Sequence, residues 1–511
     1  MTMPAAPAAS ERERRAARWV LALAAVVGIA VAVPYLHLPF AGEHAHYSYG
    51  AWLMRRGGAP YRDLWDNNTP IIFALHWIAE VVFGHGMASI RWFDLAWTSA
   101  TLAFLFLVVR RALGLLSAAL AVLFATALYF TLAYQQTAQR DDFCMLPLLA
   151  ALYAVLEAPS GKRGDTLAAL AAGIGTGCIF WLKPPVALAG AVCGLAALAR
   201  PGTRPVRGLA ALALGFALPT ALVLLSLAAH GLLGAFYGDV VVGSARYVAQ
   251  RRPLPILLAS LANTAVQQPL LGIGIAGLLL ACRRRAGRWL AAVALACLAE
   301  TVVQGKLLLY HLVPLFILLW TGAAYLAANA ALSDRLPVRL AALAIALVAT
   351  MNFWVAFQAA QYPLLWASVF RDEGVATVQR GEERKLAALV AGASGPEETV
   401  LVWGVGTPAM VHYLAERRSP TRFAMNYAFS RPEPDDAIVA RWRDEFMAKL
   451  REAPPRVIVL CSGDAWPAIG NVDSMQSFQR FTALRDFVRG RYALVGRLGG
   501  GLRYEIYRRN D

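Results

Sequence analysis

Charged side chains are scarce in this chain: only 16% of its 511 residues are Asp, Glu, Lys or Arg, whereas 58% are hydrophobic. Soluble globular proteins average roughly 25% charged and 45–50% apolar residues. The apolar residues also form blocks that reach the length of about 20 residues needed to cross a bilayer as a helix. Residues 207–229, for example, contain only one charge, at Arg207. The scarcity of charge excludes an ordinary soluble protein and predicts an integral membrane protein.

Acidic residues are fewer than basic residues, 32 against 48, which gives a net charge of +16. The basic residues form short clusters between apolar blocks rather than a patch with interleaved aromatic residues. These clusters fall at every second connection between the predicted helices, as the positive-inside rule requires. The basic excess therefore predicts a membrane orientation with the N-terminus inside, and we predict no nucleic-acid partner.

Cysteine is rare, with six residues in the whole chain. Five of them lie in or beside apolar blocks, and Cys461 stands alone in the C-terminal part. No CxxC pair and no disulfide framework can be recognised in their spacing. The histidines at positions 44 and 46 do not share a helical face with Glu43 as an i, i+4 pair would. We predict neither a cofactor nor a metal site, and a divalent metal is left open.

About eleven membrane-spanning helices are predicted from the apolar blocks. They cover residues 19–36, 90–109, 114–133, 143–157, 166–182, 185–199, 208–229, 264–282, 288–304, 308–329 and 338–358. In domain terms, residues 1–18 form a basic cytoplasmic N-terminus, and residues 19–358 form a transmembrane domain with a first outer loop at 41–88. An odd number of spans places the C-terminus on the opposite, extracytoplasmic side.

Residues 359–511 change in character and predict a small extracytoplasmic α/β domain. Residues 399–405 and 456–461 are strand-like apolar runs, and residues 491–508 are typical of a hairpin with glycines at its turn. The Gly-Val-Gly sequence at 404–406 has only part of a dinucleotide-binding fingerprint, which does not support that function. No cluster of acids and histidines stands out here, so we expect this domain to shape access to a site elsewhere.

Polar residues at the outer ends of the spans are the functional candidates, because charge near hydrocarbon is costly. Glu43 follows the first span and is interpreted either as a general base or as a helix cap. Arg140-Asp141-Asp142 begins a span, where one acid is expected to be a cap. Lys183, Lys306 and Arg246 lie on the face that the positive-inside rule leaves poor in cations. They could hold a phosphate or an anionic lipid head group.

Several stretches of the chain occur in an order that resembles the GT-C superfamily of membrane glycosyltransferases. These stretches are the acid at Glu43, GAPYRDLWDNNTP at 58–70, Ser89-Ile90-Arg91, Arg140-Asp141-Asp142, FWLKPP at 180–185 and YHLVP at 310–314. The similarity is to the dolichyl-phosphate-mannose protein mannosyltransferases and to bacterial enzymes that transfer sugars onto lipid A and its core. The sequence departs from them at Gly42, where relatives usually carry an Asp, and at Asn68-Thr69, where they often carry a lysine.

The resemblance implies sugar transfer from a polyprenyl phosphate donor to a hydroxyl of a lipid, glycan or protein. The reaction would invert the anomeric centre and take place on the outer face of the bacterial inner membrane. Glu43 would be the base and Asp142 a second functional acid, with Asp141 more suited to capping. The donor phosphate would contact Lys183, Lys306 and Arg246. The substrate-binding residues would be His46, Arg62, Asp66, Tyr310 and His311.

A transporter or flippase of a lipid-linked sugar is the main alternative. It would explain the helices and the buried charges, but not the long first outer loop or the C-terminal domain. Transporters also tend to contain internal repeats, and none is recognisable here. A polysaccharide polymerase would share the large outer loops but not the order of the motifs. Contact between the first-loop acid and Asp141 or Asp142 would favour the glycosyltransferase.

The predicted orientation can be tested with a protease added to intact spheroplasts. We expect cleavage within residues 359–511, because the alternation of basic clusters places this domain outside. An epitope tag on each terminus identifies the fragments, and the N-terminal tag should stay protected. Protection of the C-terminal domain until the cells are lysed would show that the predicted topology is wrong.

Overall fold

The computed structural model describes residues 9–244, 253–306, 308–359, 362, 366, 376–429, 437–465 and 472–510. Helices dominate the described chain from residue 11 to residue 359, and a four-stranded sheet lies near the C-terminus. The structure therefore confirms a helical membrane protein with a small C-terminal α/β domain.

Helices occupy all eleven predicted spans. The helices up to residue 229 are α1 Glu11–Tyr35, α2 Gly42–Arg55, α3 Ile71–Phe83, α4 Met87–Leu113, α5 Leu115–Tyr129, α6 Arg140–Phe143, α7 Met145–Glu157, α8 Lys162–Leu182, α9 Ala187–Leu198 and α10 Pro205–Ala229. They are followed by α11 Leu233–Phe236, a π-helical turn Tyr237–Val242, α12 Leu254–Gln267, α13 Pro269–Ala281, α14 Arg285–Gln304, α15 Val313–Ala331 and α16 Leu336–Ala359. Short 3-10 turns cover Pro184–Val186 and Leu309–Leu312.

Seven described helices are long and apolar enough to cross a membrane, or eight if the bent pair at Leu254–Thr264 and Pro269–Ala281 is one span. The other predicted spans at 114–133, 143–157 and 185–199 coincide with shorter helices, α5, α7 and α9. Large apolar side chains such as Trp19, Val26 and Ile29 are exposed on the outer surface of α1. Such exposure is expected where lipid rather than water is the solvent.

Small residues bring the membrane helices into close contact. A Cβ atom at Gly173 on α8 would collide with the Leu212 carbonyl oxygen on α10, and one at Gly277 on α13 would collide with the Gly322 carbonyl oxygen on α15. Lipid tails are as apolar as the helices, so backbone approach through small residues drives association in a membrane. These contacts make the helical bundle a close-packed scaffold for the polar residues at its ends.

The C-terminal domain contains a mixed sheet with the strand order β1-β2-β4-β3. Strands β1 and β2 pair in parallel, and the remaining neighbours are antiparallel. Its elements are α17 Ala376–Ala393, β1 Val400–Trp403, α18 Pro408–Ala415, a 3-10 turn Asn426–Ala428, α19 Ala437–Glu452, β2 Val457–Ser462, α20 Ser474–Arg480, α21 Thr482–Arg491, β3 Tyr492–Gly499 and β4 Arg503–Arg509. The predicted strands, the hairpin and its glycine turn are confirmed. Two short helices, α20 and α21, precede this hairpin.

Candidate active site

Four segments that are distant in sequence bring Glu43, Asp141, Lys183 and Tyr310 together. The Tyr310 hydroxyl donates a hydrogen bond of 3.0 Å to Glu43 Oε1. Lys183 Nζ donates to Asp141 Oδ2 at 2.6 Å and lies 5.2 Å from the centroid of the Tyr310 ring. Tyr310 therefore contacts both the first-loop acid and the cationic end of the ion pair. This group lies at the end of the helical bundle that carries the C-terminal domain.

Glu43 lies in the first turn of α2, where the helix dipole favours a negative charge. Its side chain is half-buried, and burial raises the pKa of its carboxyl group, while the nearby Arg140 and Lys183 act to lower it. A carboxylate whose pKa is raised is a better proton acceptor than one with the ordinary glutamate pKa. Glu43 thus has the position and the electrostatic surroundings that a general base requires.

The two acids of α6 make different contacts. Asp142 Oδ2 accepts hydrogen bonds from the Gln139 backbone amide at 3.0 Å and from the Tyr129 hydroxyl at 3.3 Å. The third residue of a helix can reach back to the amide of the N-cap residue, whereas the second cannot do so as well. The capping contact that we predicted for Asp141 is therefore made by Asp142. Asp141 is instead the acid that pairs with Lys183.

Lys183 is held where α8 ends. The two prolines that follow cannot continue the helix, and Lys183 itself has an extended backbone with φ −153° and ψ 99°. Its side chain is only 4% exposed, so it does not extend towards water as a snorkelling lysine would. Thr69 of the first loop donates to the Leu182 carbonyl oxygen at 2.9 Å. The lysine is thus tied to both the second loop and the first loop.

Lys306, His311 and Arg246 are also among the predicted site residues. Lys306 and His311 are both buried, in the connection that joins α14 to α15. The His311 ring packs edge-on against Tyr310 with centroids 4.5 Å apart. Arg246 lies outside the described residues. Lys306 and His311 are therefore close in sequence to Tyr310 and buried like the residues of the group.

Asp66 and His46 form a second buried pair, with His46 Nε2 3.2 Å from Asp66 Oδ2. Asn68 Nδ2 donates to Asp66 Oδ1 at 2.7 Å and to the Tyr47 hydroxyl at 3.1 Å. Asn68 thus fills the place where a lysine is often found in the similar enzymes. Arg62, which we also predicted to bind substrate, is exposed and pairs with its neighbour Asp63, so the structure does not bring it into this group.

Sequence reasoning missed the contribution of Arg140 and Glu300. Arg140 interacts electrostatically with Tyr47, Glu43 and Asp141, yet its guanidinium makes no hydrogen bond or ion pair with any residue that the structure describes. Glu300 is buried in α14 and is close enough to interact electrostatically with Asp141. An acid inside an apolar span is itself a signal of function, and this signal could have identified Glu300.

Arg91 is a further buried cation and connects the two loops. Its guanidinium donates to the Pro39 carbonyl oxygen at 2.7 Å and to the Thr137 hydroxyl at 2.9 Å. It also donates to the Tyr134 carbonyl oxygen at 3.2 Å. One side chain on α4 thus joins the segment before Glu43 to the segment before Asp141. Within the described ranges, no three His, Cys, Asp or Glu side chains meet as metal ligands would.

This chain is similar to known proteins both in sequence pattern and in fold. The family model described as dolichyl-phosphate-mannose-protein mannosyltransferase matches residues 67–228. The structure is similar to that of ArnT from Cupriavidus metallidurans bound to undecaprenyl phosphate, with 15% identity, a TM-score of 0.61, and coverage of 96% of this chain and 98% of that chain. It is also similar to an oligosaccharyltransferase from Archaeoglobus fulgidus tethered to an acceptor peptide, with 12% identity, a TM-score of 0.52, and coverage of 86% and 69%. No curated protein sequence matches this chain.

These similarities define a multi-pass membrane protein with the GT-C fold. The resemblance to GT-C membrane glycosyltransferases that the sequence predicted is therefore confirmed at the level of the fold. The family model covers the segment from the first outer loop through α10, which contains Asp141 and Lys183.

The buried ion pair predicts a specific pattern of stability. Replacing Lys183 by Met should destabilise the protein by about 3–5 kcal/mol, because Asp141 would remain buried without a partner. A double variant that also carries Asp141→Asn should recover part of this loss. Thermal unfolding in detergent measures the effect. Lys162→Met at the exposed opposite end of α8 is the matched control, and equal melting temperatures for the two lysine variants would contradict the prediction.

Proposed function

We propose that this protein transfers a sugar from a polyprenyl phosphate donor to a hydroxyl group of a lipid, glycan or protein. The supporting observation is the hydrogen bond between Glu43 and Tyr310 beside the Lys183–Asp141 pair. A potential base and several cations thus lie together in a fold shared with a protein that binds undecaprenyl phosphate. The alternation of basic clusters supports a reaction on the outer face of a bacterial inner membrane.

The donor phosphate is held by cations at the end of the helical bundle. Lys183, Lys306 and Arg246 are the residues that the sequence predicts for this role. The geometry adds Arg140, whose guanidinium lies near Glu43 and Asp141 but makes no hydrogen bond or ion pair within the described residues, whereas Lys183 already has Asp141 as a partner. A guanidinium can bind two oxygens of one phosphate, which gives a stronger and more directional contact than an ammonium group.

The transfer is a single displacement at the anomeric carbon. Glu43 accepts the proton of the acceptor hydroxyl, whose oxygen forms the new bond to that carbon. The bond from the carbon to the phosphate oxygen breaks, and the electron pair leaves with the polyprenyl phosphate. The nearby cations stabilise the charge that grows on the phosphate, and this lowers the barrier as well as the dissociation constant. Tyr310 keeps the Glu43 carboxylate oriented through its hydroxyl.

The buried pair of Asp66 and His46 is suited to binding sugar hydroxyls. His46 Nδ1 is buried and has no hydrogen-bond partner within the described part of the chain. His46 lies on α2, the helix that also carries Glu43. Both sugar-binding contacts and proton transfer would then be supplied by one helix.

A flippase would use the same helices and charges without needing a base. The arrangement favours the transferase, because Glu43 and Asp141 interact electrostatically and share Arg140 and Lys183 as nearby cations. The two acids are linked indirectly, since Tyr310 donates to Glu43 and packs beside Lys183, which is the partner of Asp141.

Replacing Glu43 by Gln should reduce the rate of sugar transfer by about 10²-fold or more, because the acceptor hydroxyl loses its base. The protein should remain folded, since Gln can still accept the hydrogen bond from Tyr310. The measurement is turnover with a radiolabelled polyprenyl phosphate sugar and membrane extracts. Glu157→Gln, at an exposed acid on α7, is the control. Near wild-type turnover of the Glu43 variant would remove this residue from the mechanism.

The same variant should change the pH dependence of kcat/KM. Glu43 acts as a base only when ionised, so the rate falls as the pH decreases through its pKa. Burial raises this pKa. The acidic limb of the pH–rate profile should therefore have its midpoint above pH about 4.3, the pKa of an exposed glutamate. The limb should be absent from the residual activity of Glu43→Gln.

The phosphate site is tested by titrating purified variants with polyprenyl phosphate. Arg140→Ala, Lys183→Ala and Lys306→Ala should each bind about tenfold to a hundredfold more weakly, as expected for the loss of one charged hydrogen bond. Lys162→Ala is the control for a lysine remote from the site. If Lys183→Ala and Lys306→Ala both bind as tightly as the wild type, the phosphate site lies elsewhere, and the arginines of residues 246–252 are the next candidates.

A further inference from the structure

Trp65 belongs to the first loop, but its side chain lies in the core of the C-terminal domain. Its ring centroid is 5.2 Å from that of Trp442, 6.0 Å from Tyr427 and 6.4 Å from Phe423. Only 4% of the residue is exposed. Aromatic side chains bury large apolar areas, and tryptophan is the largest of them. One residue of the membrane domain therefore completes the aromatic core of the other domain.

Arg422 secures the backbone at this tryptophan and at Tyr61, four residues before it. Its carbonyl oxygen accepts a hydrogen bond of 2.7 Å from the Trp65 amide, and its guanidinium donates to the Tyr61 carbonyl oxygen at 3.2 Å. The guanidinium also pairs with Asp239, in the π-helical turn after α11, and with Glu445 of α19. Arg422 thus joins two segments of the membrane domain to the C-terminal domain.

The Trp65 anchor is one residue from the candidate active site. Asp66 follows it directly and pairs with His46, which lies on the same helix as Glu43. Helix α2 is therefore linked to the anchor by a buried polar contact. A shift of Trp65 would move Asp66, and through His46 it would move the helix that carries the base.

Helix α2 also contacts the C-terminal domain directly. The Tyr49 hydroxyl accepts a hydrogen bond of 2.8 Å from the Ser419 amide, and its ring stacks on His412 with centroids 5.2 Å apart. At the start of α2, a Cβ atom on Gly42 would lie 3.4 Å from the Gly406 carbonyl oxygen. Contacts at Gly42 and at Tyr49 thus show that α2 is packed between the two domains.

The glycine loop after β1 has a packing role in this arrangement. The Val405 amide donates to Asp464 Oδ2 at 3.0 Å, so a carboxylate of the chain itself occupies the donor that a phosphate would need. Gly406 of the same loop faces Gly42, one residue before Glu43. The loop therefore serves the interface with α2.

We propose that the C-terminal domain fixes the position of Glu43, with Trp65 and Arg422 as the positioning residues. This inference rests on the proposed function for its effect on catalysis, and it goes beyond the expectation that the domain only shapes access. Neither residue touches the reacting groups. They act by holding the first loop and α2 in one arrangement, which matters because small displacements of a catalytic group cost large factors in rate.

The test compares Trp65→Ala with Trp65→Phe and with Trp77→Ala, a partly exposed tryptophan on α3. Trp65→Ala should lower kcat by about 10- to 100-fold, as expected when a reacting group is misplaced. Its affinity for polyprenyl phosphate should stay at the wild-type value, because the cations lie on other segments. Trp65→Phe should restore most of the activity, and Trp77→Ala should behave like the wild type.

Hydrogen exchange of the backbone amides of residues 43–50 supplies a readout that does not need activity. Exchange should become faster in Trp65→Ala, while the amides of α8 and α15 keep the wild-type rate. This result would support the positioning role even if no polyprenyl phosphate sugar proves to be a donor, which would overturn the proposed function alone. Unchanged exchange of α2 together with unchanged kcat would overturn the positioning role.

A second variant decides the matter if Trp65→Ala does not fold. Arg422→Met keeps the aliphatic volume but loses the contacts with Asp239, Glu445 and the Tyr61 carbonyl oxygen. It should also speed exchange in α2 and lower kcat without weakening phosphate binding. Arg441→Met, at an exposed arginine of α19, is its matched control. Equal exchange in the two arginine variants would overturn the proposal.

Discussion

The ion pair between Lys183 and Asp141 is the interaction around which the candidate site is built. Both side chains are almost completely buried at the end of a helical bundle, where an unpaired charge would be very unfavourable. The pair therefore fixes the end of α8 relative to α6. Tyr310 packs against the lysine and donates to Glu43, so the position of the first-loop acid follows from the same contact. Four segments of the chain, which carry Glu43, Asp141, Lys183 and Tyr310, are thus positioned by one ion pair.

Much of the fold could be predicted from the sequence, because the bilayer imposes a length and a polarity on every span. The residues of the site were harder to assign. Asp141 and Asp142 are adjacent in sequence but point about 100° apart on a helix, so a motif does not show which one caps it. Arg62 belongs to the stretch at 58–70 that resembles the known enzymes, and it is nevertheless exposed. The indole of Trp65, in the same stretch, is buried in the C-terminal domain. Contacts between distant segments decide these roles, and hydropathy carries no information about them.

The departures at Gly42 and Asn68 have a common structural setting. Asn68 is neutral, and its side-chain amide donates to the buried residues Asp66 and Tyr47. Gly42 lies against the backbone of Gly406, where the C-terminal domain approaches α2. Both positions thus belong to the contacts that shape the surroundings of Glu43. The cationic character of the site is carried by the second loop and by the end of α8.

The insertion of Trp65 into the C-terminal domain has a consequence for how the protein is made. The first loop emerges from the ribosome long before the strands and helices that surround this indole. Until the last part of the chain has been synthesised and folded, Trp65 has no core to enter and α2 lacks one of its two packing surfaces. The membrane helices can assemble in the meantime, but the acid on α2 reaches its final place last. A truncated or stalled chain would therefore lie in the membrane with Trp65 unburied and with α2 packed on one side only.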